Sequence, residues 1–377
     1  MKITDIKRVD VFYKERKVGT LVENSDGTTS FAYSDKWIEN GFSISPFKLP
    51  LSKTIFHCSD YLINNLFGVF YDSLPDSWGN LLIDEYLISQ GYNPKNVSMV
   101  QRLTLLDDNS LGALTYKPSF SKEKEIVSSL EFDEFKKKID AFLKDGDISN
   151  DNFFDIYKKG HSTGGSRPKI NFLFEDGLYI VKFKSKLDID SIGKEEYNLN
   201  LFAKECGINV PKCKLISSKI CDGYFATKRF DRDNNEKVHV ISLAGLFDLR
   251  TDLSQIHYKG FLQVVNKLCP MDAKEAVKRM IFNYLIDNKD DHPRNFSFTY
   301  DEKNKQYRLS PFYDITSTPQ IKEHMMQVNG KDNPTLEDFI EDAKACHISS
   351  KEVEEIYFGI KNKLINKWIN MNNSSLY

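Results

Sequence analysis

Three short runs near the start of the chain alternate apolar and polar residues with period two: Val9–Tyr13, Lys17–Val22 and Thr28–Tyr33. This pattern predicts half-buried strands, the first two forming a hairpin and Ser25-Asp26-Gly27 turning into the third. The period then changes. Trp78–Ser89 places Leu81, Leu82, Tyr86 and Leu87 on one side of a helix that Gly91 ends. Residues 121–159, rich in Lys, Asp and Glu with scattered Phe and Ile, predict one amphipathic helix plus an exposed connection, and hence a boundary.

The middle third alternates elements. A Gly/Ser loop at 161–166 precedes strands at Ile170–Phe174 and Leu178–Phe183, joined by the turn Glu175-Asp176-Gly177. A helix follows at Lys194–Cys206, stopped by Gly207, and then strands at Lys214–Ser217 and Tyr224–Arg229. Two strands, a helix and two strands form a small α+β unit. In the last third Ala273, Ala276, Val277, Met280, Ile281, Tyr284 and Leu285 recur at helical spacing, as do Val353, Ile356, Tyr357, Ile360, Leu364, Trp368 and Ile369. Between them lies one hairpin, Phe296–Tyr300 and Tyr307–Phe312, turning at Asp301–Gln306.

Composition narrows the classes. At 377 residues the chain exceeds one typical domain, and 40% hydrophobic with 28% charged residues is an ordinary globular balance. A net charge of −2 gives no global field for nucleic acid or an anionic membrane. The six cysteines form no C-x-x-C pair or zinc spacing and are expected to be buried thiols. No signal-peptide pattern and no apolar run long enough to span a bilayer are present, so a soluble, cytoplasmic protein is expected.

Asp290 and Asn295 follow the helix of 273–287 at the Asp-x-x-x-x-Asn interval used in protein-kinase catalytic loops. Asn295 opens the hairpin whose second strand runs out at Asp314, so counting outward from a turn near 303–304 sets the two almost opposite each other. An amide and a carboxylate brought together this way suit magnesium, which takes few protein ligands beside phosphate and water. Asp290 is the candidate base. Asp291 is read as a solvated neighbour, and His292 as a histidine that pins the loop or else lies near the phosphates. Taken singly, each motif is equally an ordinary turn or cap; the combination and order carry the chemistry. Ser162-Thr163-Gly164-Gly165-Ser166-Arg167-Pro168-Lys169 is either a linker or a phosphate cradle, since two glycines let backbone N–H groups approach oxygens. Lys182, among apolar neighbours on its strand, needs a partner, and Glu196 on the next helix is the candidate.

These residues together resemble the HipA family of bacterial toxin kinases. Asp290, His292 and Asn295 are similar to its Asp-x-His-x-x-Asn, and Pro311-Phe312-Tyr313-Asp314-Ile315 to its metal-binding Pro-Phe-Tyr-Asp-Ile. Gly164-Gly165-Ser166-Arg167-Pro168-Lys169 is similar to its ATP-binding loop, with Ser166 where Ala is commoner. Arg229-Phe230-Asp231-Arg232 and Leu74-Pro75-Asp76 match two further family motifs. The resemblance covers residues from about 9 to 330.

It implies an α+β, protein-kinase-like bilobal fold with a β-rich N-terminal lobe and a mainly α-helical C-terminal lobe. The divisions are 1–120, a HipA-like N-terminal subdomain; 121–230, an ATP-binding subdomain; and 231–377, a helical kinase lobe. It further implies ATP and Mg2+ as cofactors. ATP contacts would come from Gly164, Gly165, Ser166, Arg167, Pro168, Lys169, Lys182, the hinge Lys228, Arg229 and Phe230, and from His292, Asn295, Tyr313 and Asp314. Asn295 and Asp314 would hold the metal, and Ser162 (or Thr163 or Ser166) would be autophosphorylated. A HipB-like helix-turn-helix antitoxin would be the partner, with DNA met only through it, no membrane, and a protein substrate such as an aminoacyl-tRNA synthetase. A small-molecule kinase of the aminoglycoside or sugar type, and a non-catalytic nucleotide-switched partner of a DNA-binding protein, are the competing readings.

Overall fold

The computed structural model describes residues 2–121, 127–145, 151–160, 166–233, 236–250 and 256–374. The chain divides into two compact units, Met1–Tyr197 with Lys212–Arg250, and Asn198–Pro211 with Thr251–Tyr377.

In the first unit, β1 (Arg8–Tyr13), β2 (Arg16–Glu23), β3 (Thr29–Tyr33), β4 (Phe56–Cys58) and β5 (Leu114–Lys117) form an antiparallel sheet in the order β4-β3-β2-β1-β5. Lys14 and Glu15 turn the first hairpin with φ of 45° and 63°, the paired left-handed residues whose twist matches flanking strands. Helix α1 (Ser77–Ser89) buries Trp78, Leu82, Ile83, Tyr86 and Leu87. Leu81, expected on that face, is only half-buried, and Ile83 takes its place. The charged stretch 121–159 forms two helices rather than one, α2 (Phe132–Asp145) and α3 (Asp151–Lys159). Both belong to the first unit.

A second antiparallel sheet comprises β6 (Lys169–Phe174), β7 (Gly177–Lys182), β8 (Cys213–Ile216) and β9 (Tyr224–Lys228) in the order β6-β7-β9-β8. Phe132 and Phe135 of α2 pack on Phe172, Phe183 and Tyr224, so one face of this sheet is an aromatic layer. Helix α4 (Ile192–Glu205) follows β7. Past β9 the chain is tied to the first sheet by charge. Arg229, 2% exposed, binds Asp231 with two nitrogens (2.9 and 2.6 Å) and donates to the carbonyls of Asn109 and Ser110. Arg232 donates to Asp231 and to the carbonyls of Asp108, Ser110 and Gly112.

The second unit is mainly helical: α5 (Tyr258–Leu268), α6 (Ala273–Leu285), the hairpin β10 (Ser297–Asp301) and β11 (Gln306–Leu309), α7 (Leu336–Ala343) and α8 (Ser350–Ser374). Ala276, Val277, Met280, Ile281 and Phe282 are fully buried, and each larger apolar side chain so placed contributes about 1.5–3 kcal/mol. On α8, Val353, Ile356 and Ile360 are buried and Tyr357 and Leu364 half-exposed; the side chains from Trp368 onward, Ile369 included, lie outside the described set. The six cysteines are free thiols, Cys58, Cys269 and Cys346 buried and Cys206, Cys213 and Cys221 half-buried. Among the described residues no helix is long and apolar enough to cross a membrane.

Burial alone would raise the Asp231 carboxyl, but the Arg229 and Arg232 guanidiniums outweigh it and hold its pKa at about 2. The stabilisation is complete above the unfolded carboxylate range and is lost as pH falls through about 2. Asp231→Ala is expected to cost about 3–5 kcal/mol in urea unfolding at neutral pH, because it strands two buried guanidiniums. A loss below about 1 kcal/mol would refute the anchoring role.

Candidate functional site

The carboxylate–amide loop begins where α6 ends. Asp287 adopts φ 58°, Asn288 N–H donates to the Asn283 carbonyl and Asp287 N–H to Tyr284, a helix-ending arrangement usually built on glycine. Asp291 then turns inward and is 1% exposed. Its Oδ2 accepts from the Tyr258 hydroxyl (2.7 Å) and meets His324 Nδ1 (2.9 Å), while Oδ1 accepts the Met325 N–H (2.8 Å). Asn283 Nδ2 donates to Tyr258, and Asn288 Nδ2 donates to Asn283 Oδ1, extending the network into α6. The His324 ring stacks on Tyr284 at 3.7 Å. Burial, followed by the Asp291 charge, pushes the Tyr258 hydroxyl far above its ordinary pKa, so it remains a donor.

Asp291 is therefore no solvated neighbour: it is the loop's anchor. With residue 291 fixed inward, Asp290 is half-exposed, its side chain 50% accessible. His292 does not serve as the pin; its Nε2 stands 3.9 Å from Asp290 Oδ1, and its Nδ1 is buried without a hydrogen-bond partner. Asn295 closes the loop, its Nδ2 donating to the Asp290 carbonyl at 2.8 Å. This bond directs the amide nitrogen to the loop backbone and leaves the oxygen as the candidate ligand atom.

Asp314 lies on the segment leaving β11. The ladder pairs Phe298 with Leu309 and Asp301 with Gln306, a register whose continuation would set Asn295 against Phe312, not against Asp314. Strand pairing thus does not juxtapose the two. Tyr313 does the joining: its hydroxyl donates to the Arg294 carbonyl (2.7 Å) and meets Ser297 Oγ (2.6 Å), so the residues beside Asn295 and Asp314 are linked directly. Arg279, 1% exposed, holds the same segment from below by donating to the Ser310 carbonyl at 2.7 Å, with Glu275 as its counter-ion at 2.9 Å. Asp314 has φ 58°, a left-handed conformation that carboxylate residues seldom hold outside turns and functional sites.

In the strand-rich unit, Lys182 Nζ meets Glu196 Oε1 at 2.6 Å, with the Glu196 side chain 2% exposed. The Lys182 ammonium also lies 5.7 Å from the Phe225 ring centre. Arg167 forms a two-pronged pair with Asp188 at 3.0 and 3.1 Å. Burial opposes ionisation of Asp188, but Arg167 and the Ser185 N–H hold its carboxyl below the usual range. Lys169 is 2% exposed at the start of β6, and Lys228 donates to the Asp176 carbonyl. Arg229 spends its guanidinium on Asp231 and the 109–110 carbonyls and its N–H on the Leu178 carbonyl, which leaves its own carbonyl to meet a ligand. Ser166 and Pro168 precede β6, and Phe230 is half-buried after β9. Ser162, Thr163, Gly164 and Gly165 lie outside the described residues.

A family model described as the HipA-like C-terminal domain matches residues 161–368, and one described as the HipA N-terminal domain matches 9–117. The chain belongs to the HipA family. This HipA-family chain is 25% identical to "Putative kinase Y4dM" of Sinorhizobium fredii, over 92% of its own length and 84% of that protein's. It is 29% identical to a "Putative kinase" of Haemophilus influenzae over 44% of its length, spanning 55% of that relative. Among solved structures it resembles the Shewanella oneidensis MR-1 toxin–antitoxin complex of HipA, HipB and operator DNA, with a TM-score of 0.67 at 17% identity, covering 93% of this chain and 88% of that one. The α+β, kinase-like fold class expected from the sequence is the fold these comparisons show.

Asp291→Ala, which strands the Tyr258 hydroxyl, His324 and a backbone N–H in the interior, is expected to lower unfolding free energy by about 3–5 kcal/mol. Half-exposed Asp290→Ala is expected to stay within about 1 kcal/mol of wild type. Equal losses in parallel denaturant titrations would show that Asp291 does not anchor the loop.

Proposed function

We propose that this HipA-family chain is an ATP- and Mg2+-dependent serine/threonine protein kinase, the toxin of a HipBA-like toxin–antitoxin pair. The carrying observation is the loop itself: a buried Asp291 anchor that leaves Asp290 facing outward and directs Asn295 onto the Asp290 carbonyl. Kinase chemistry needs alignment, charge neutralisation and a proton acceptor more than covalent help.

The donor set suits the metal. Among the described residues no cluster of three His, Cys, Asp or Glu side chains could hold an ion alone. One amide oxygen from Asn295 and one carboxylate from Asp314, linked through Tyr313, would provide two hard oxygens and leave the remaining positions to phosphate and water. Bound there, Mg2+ would neutralise charge on the transferring phosphate. Asp290 accepts the proton of the acceptor hydroxyl as its oxygen bonds to the γ-phosphorus and the bond to ADP breaks. Lys182, oriented by Glu196, contacts the phosphates; Lys169, Arg167 and the 164–168 loop flank them; and Lys228–Phe230 meets adenine through its backbone. His292 and Tyr313 complete the ATP contacts.

The partner in this reading is a HipB-like helix-turn-helix protein, supported by the HipA, HipB and operator DNA complex that the fold resembles. DNA is met only through it. The substrate is a protein of the translation machinery, such as an aminoacyl-tRNA synthetase, and the enzyme phosphorylates itself at Ser162, with Thr163 or Ser166 as the alternative sites. It acts in the cytoplasm.

Incubating purified protein, Mg2+ and γ-labelled ATP with a cell lysate is expected to label a protein band and one peptide spanning 162–166. Asp290→Ala is expected to reduce both about a thousand-fold. A labelled metabolite with no labelled protein would instead support a small-molecule kinase, and nucleotide binding without any transfer would support the non-catalytic switch.

A further inference from the structure

Asn171 is fully buried, yet neither its carboxamide oxygen nor its nitrogen has a hydrogen-bond partner. An unpaired buried amide is costly, so natural proteins keep few of them and those few call for a reason. Its place in the sheet suggests one. Asn171 is two residues beyond Lys169 on β6, and the register pairs Lys169 with Lys182 and Asn171 with Ile180. Residues two apart on a strand, and residues directly paired across strands, share a face. Asn171 therefore lies on the face of Lys182, opposite the aromatic layer of Phe172 and Tyr224 packed by Phe132.

Along β7 and β9 this face has a direction. The Lys182 end of the strand pair is matched with Phe225; at the other end Tyr179, whose side chain belongs to the opposite face, is matched with Lys228, where the hinge backbone begins. Asn171, Ile180 and Thr227 occupy the middle, about 6.6 Å along the strand from the lysine pair. A nucleotide with its phosphates at Lys182 and its base at Lys228–Phe230 would lay its sugar across this middle row. A ribose 2′,3′-diol offers O–H donors and oxygen acceptors side by side, complementary to a carboxamide whose oxygen and N–H groups are both unpaired.

We propose that Asn171 is a specificity-determining residue that reads the ribose hydroxyls of the nucleotide. The inference deepens the kinase reading and rests on its assignment of Lys182 to the phosphates.

The test compares binding of ATP, 2′-deoxy-ATP and 3′-deoxy-ATP to the full chain, wild type, Asn171→Ala and Asn171→Leu, with Mg2+ present. Wild type is expected to prefer ATP over one or both deoxy analogues by about ten-fold, the worth of one or two hydrogen bonds. Both variants are expected to bind ATP about ten-fold more weakly and to lose the preference to within about two-fold. Because the leucine variant removes a stranded polar group, its ligand-free melting temperature is expected to match or exceed that of wild type, separating a lost contact from a lost fold. Equal wild-type affinity for all three nucleotides, or variants that keep the preference, would overturn the assignment. A wild type that binds none of them would show that the kinase reading itself fails, and the inference with it.

Discussion

A carboxylate removed from water must be repaid in hydrogen bonds or it will not stay ionised inside. Asp291 meets that condition with a tyrosine hydroxyl, a histidine and a backbone N–H drawn from two separate segments of the helical unit. The consequence is positional. Once residue 291 is committed inward, the chain direction turns residue 290 outward, and the short helical turn Pro293–Asn295 brings the Asn295 amide back onto the Asp290 carbonyl. A candidate proton acceptor and a candidate metal ligand are thereby held by a residue buried beneath them.

The same logic recurs on the strand leading to Asp314. Arg279 is buried beneath the Ser310 carbonyl, and Tyr313 bridges to Arg294 and Ser297. Asp314 stands in a left-handed backbone conformation between these supports. Strain of this kind costs on the order of 1–3 kcal/mol and persists only where the surroundings over-determine the residue. In the strand-rich unit the analogous commitment is Lys182 to Glu196, which orients a largely buried lysine side chain.

Much of this arrangement was legible from local pattern. The Asp-x-x-x-x-Asn interval, the Pro-Phe-Tyr-Asp-Ile strand end, the strand lysine and the helix glutamate are short-range signals, and periodicity located the elements that carry them. The failures share one cause. Asp291 looked solvated because its partners at 258, 324 and 325 are remote in sequence, although a second carboxylate beside the first, after an apolar helix carrying Asn283, was a usable hint. The Arg229 guanidinium is taken up by Asp231 and the carbonyls near residue 110, a contact across more than a hundred residues that no local pattern shows. Counting from the hairpin's middle placed Asn295 almost opposite Asp314, whereas the ladder's register points it at Phe312 and a side-chain bridge links the neighbouring residues.

The amino-acid order by itself determined which elements form and which residue types sit at their ends, because helix and strand periods, turn residues and motif spacing act within a few residues. Which of two adjacent aspartates faces water, which arginine is committed to a buried carboxylate, and which amide is left unpaired in the interior were decided only by tertiary packing. Those outcomes depend on whether a distant segment arrives with a complementary hydrogen bond, and local sequence contains no measure of that.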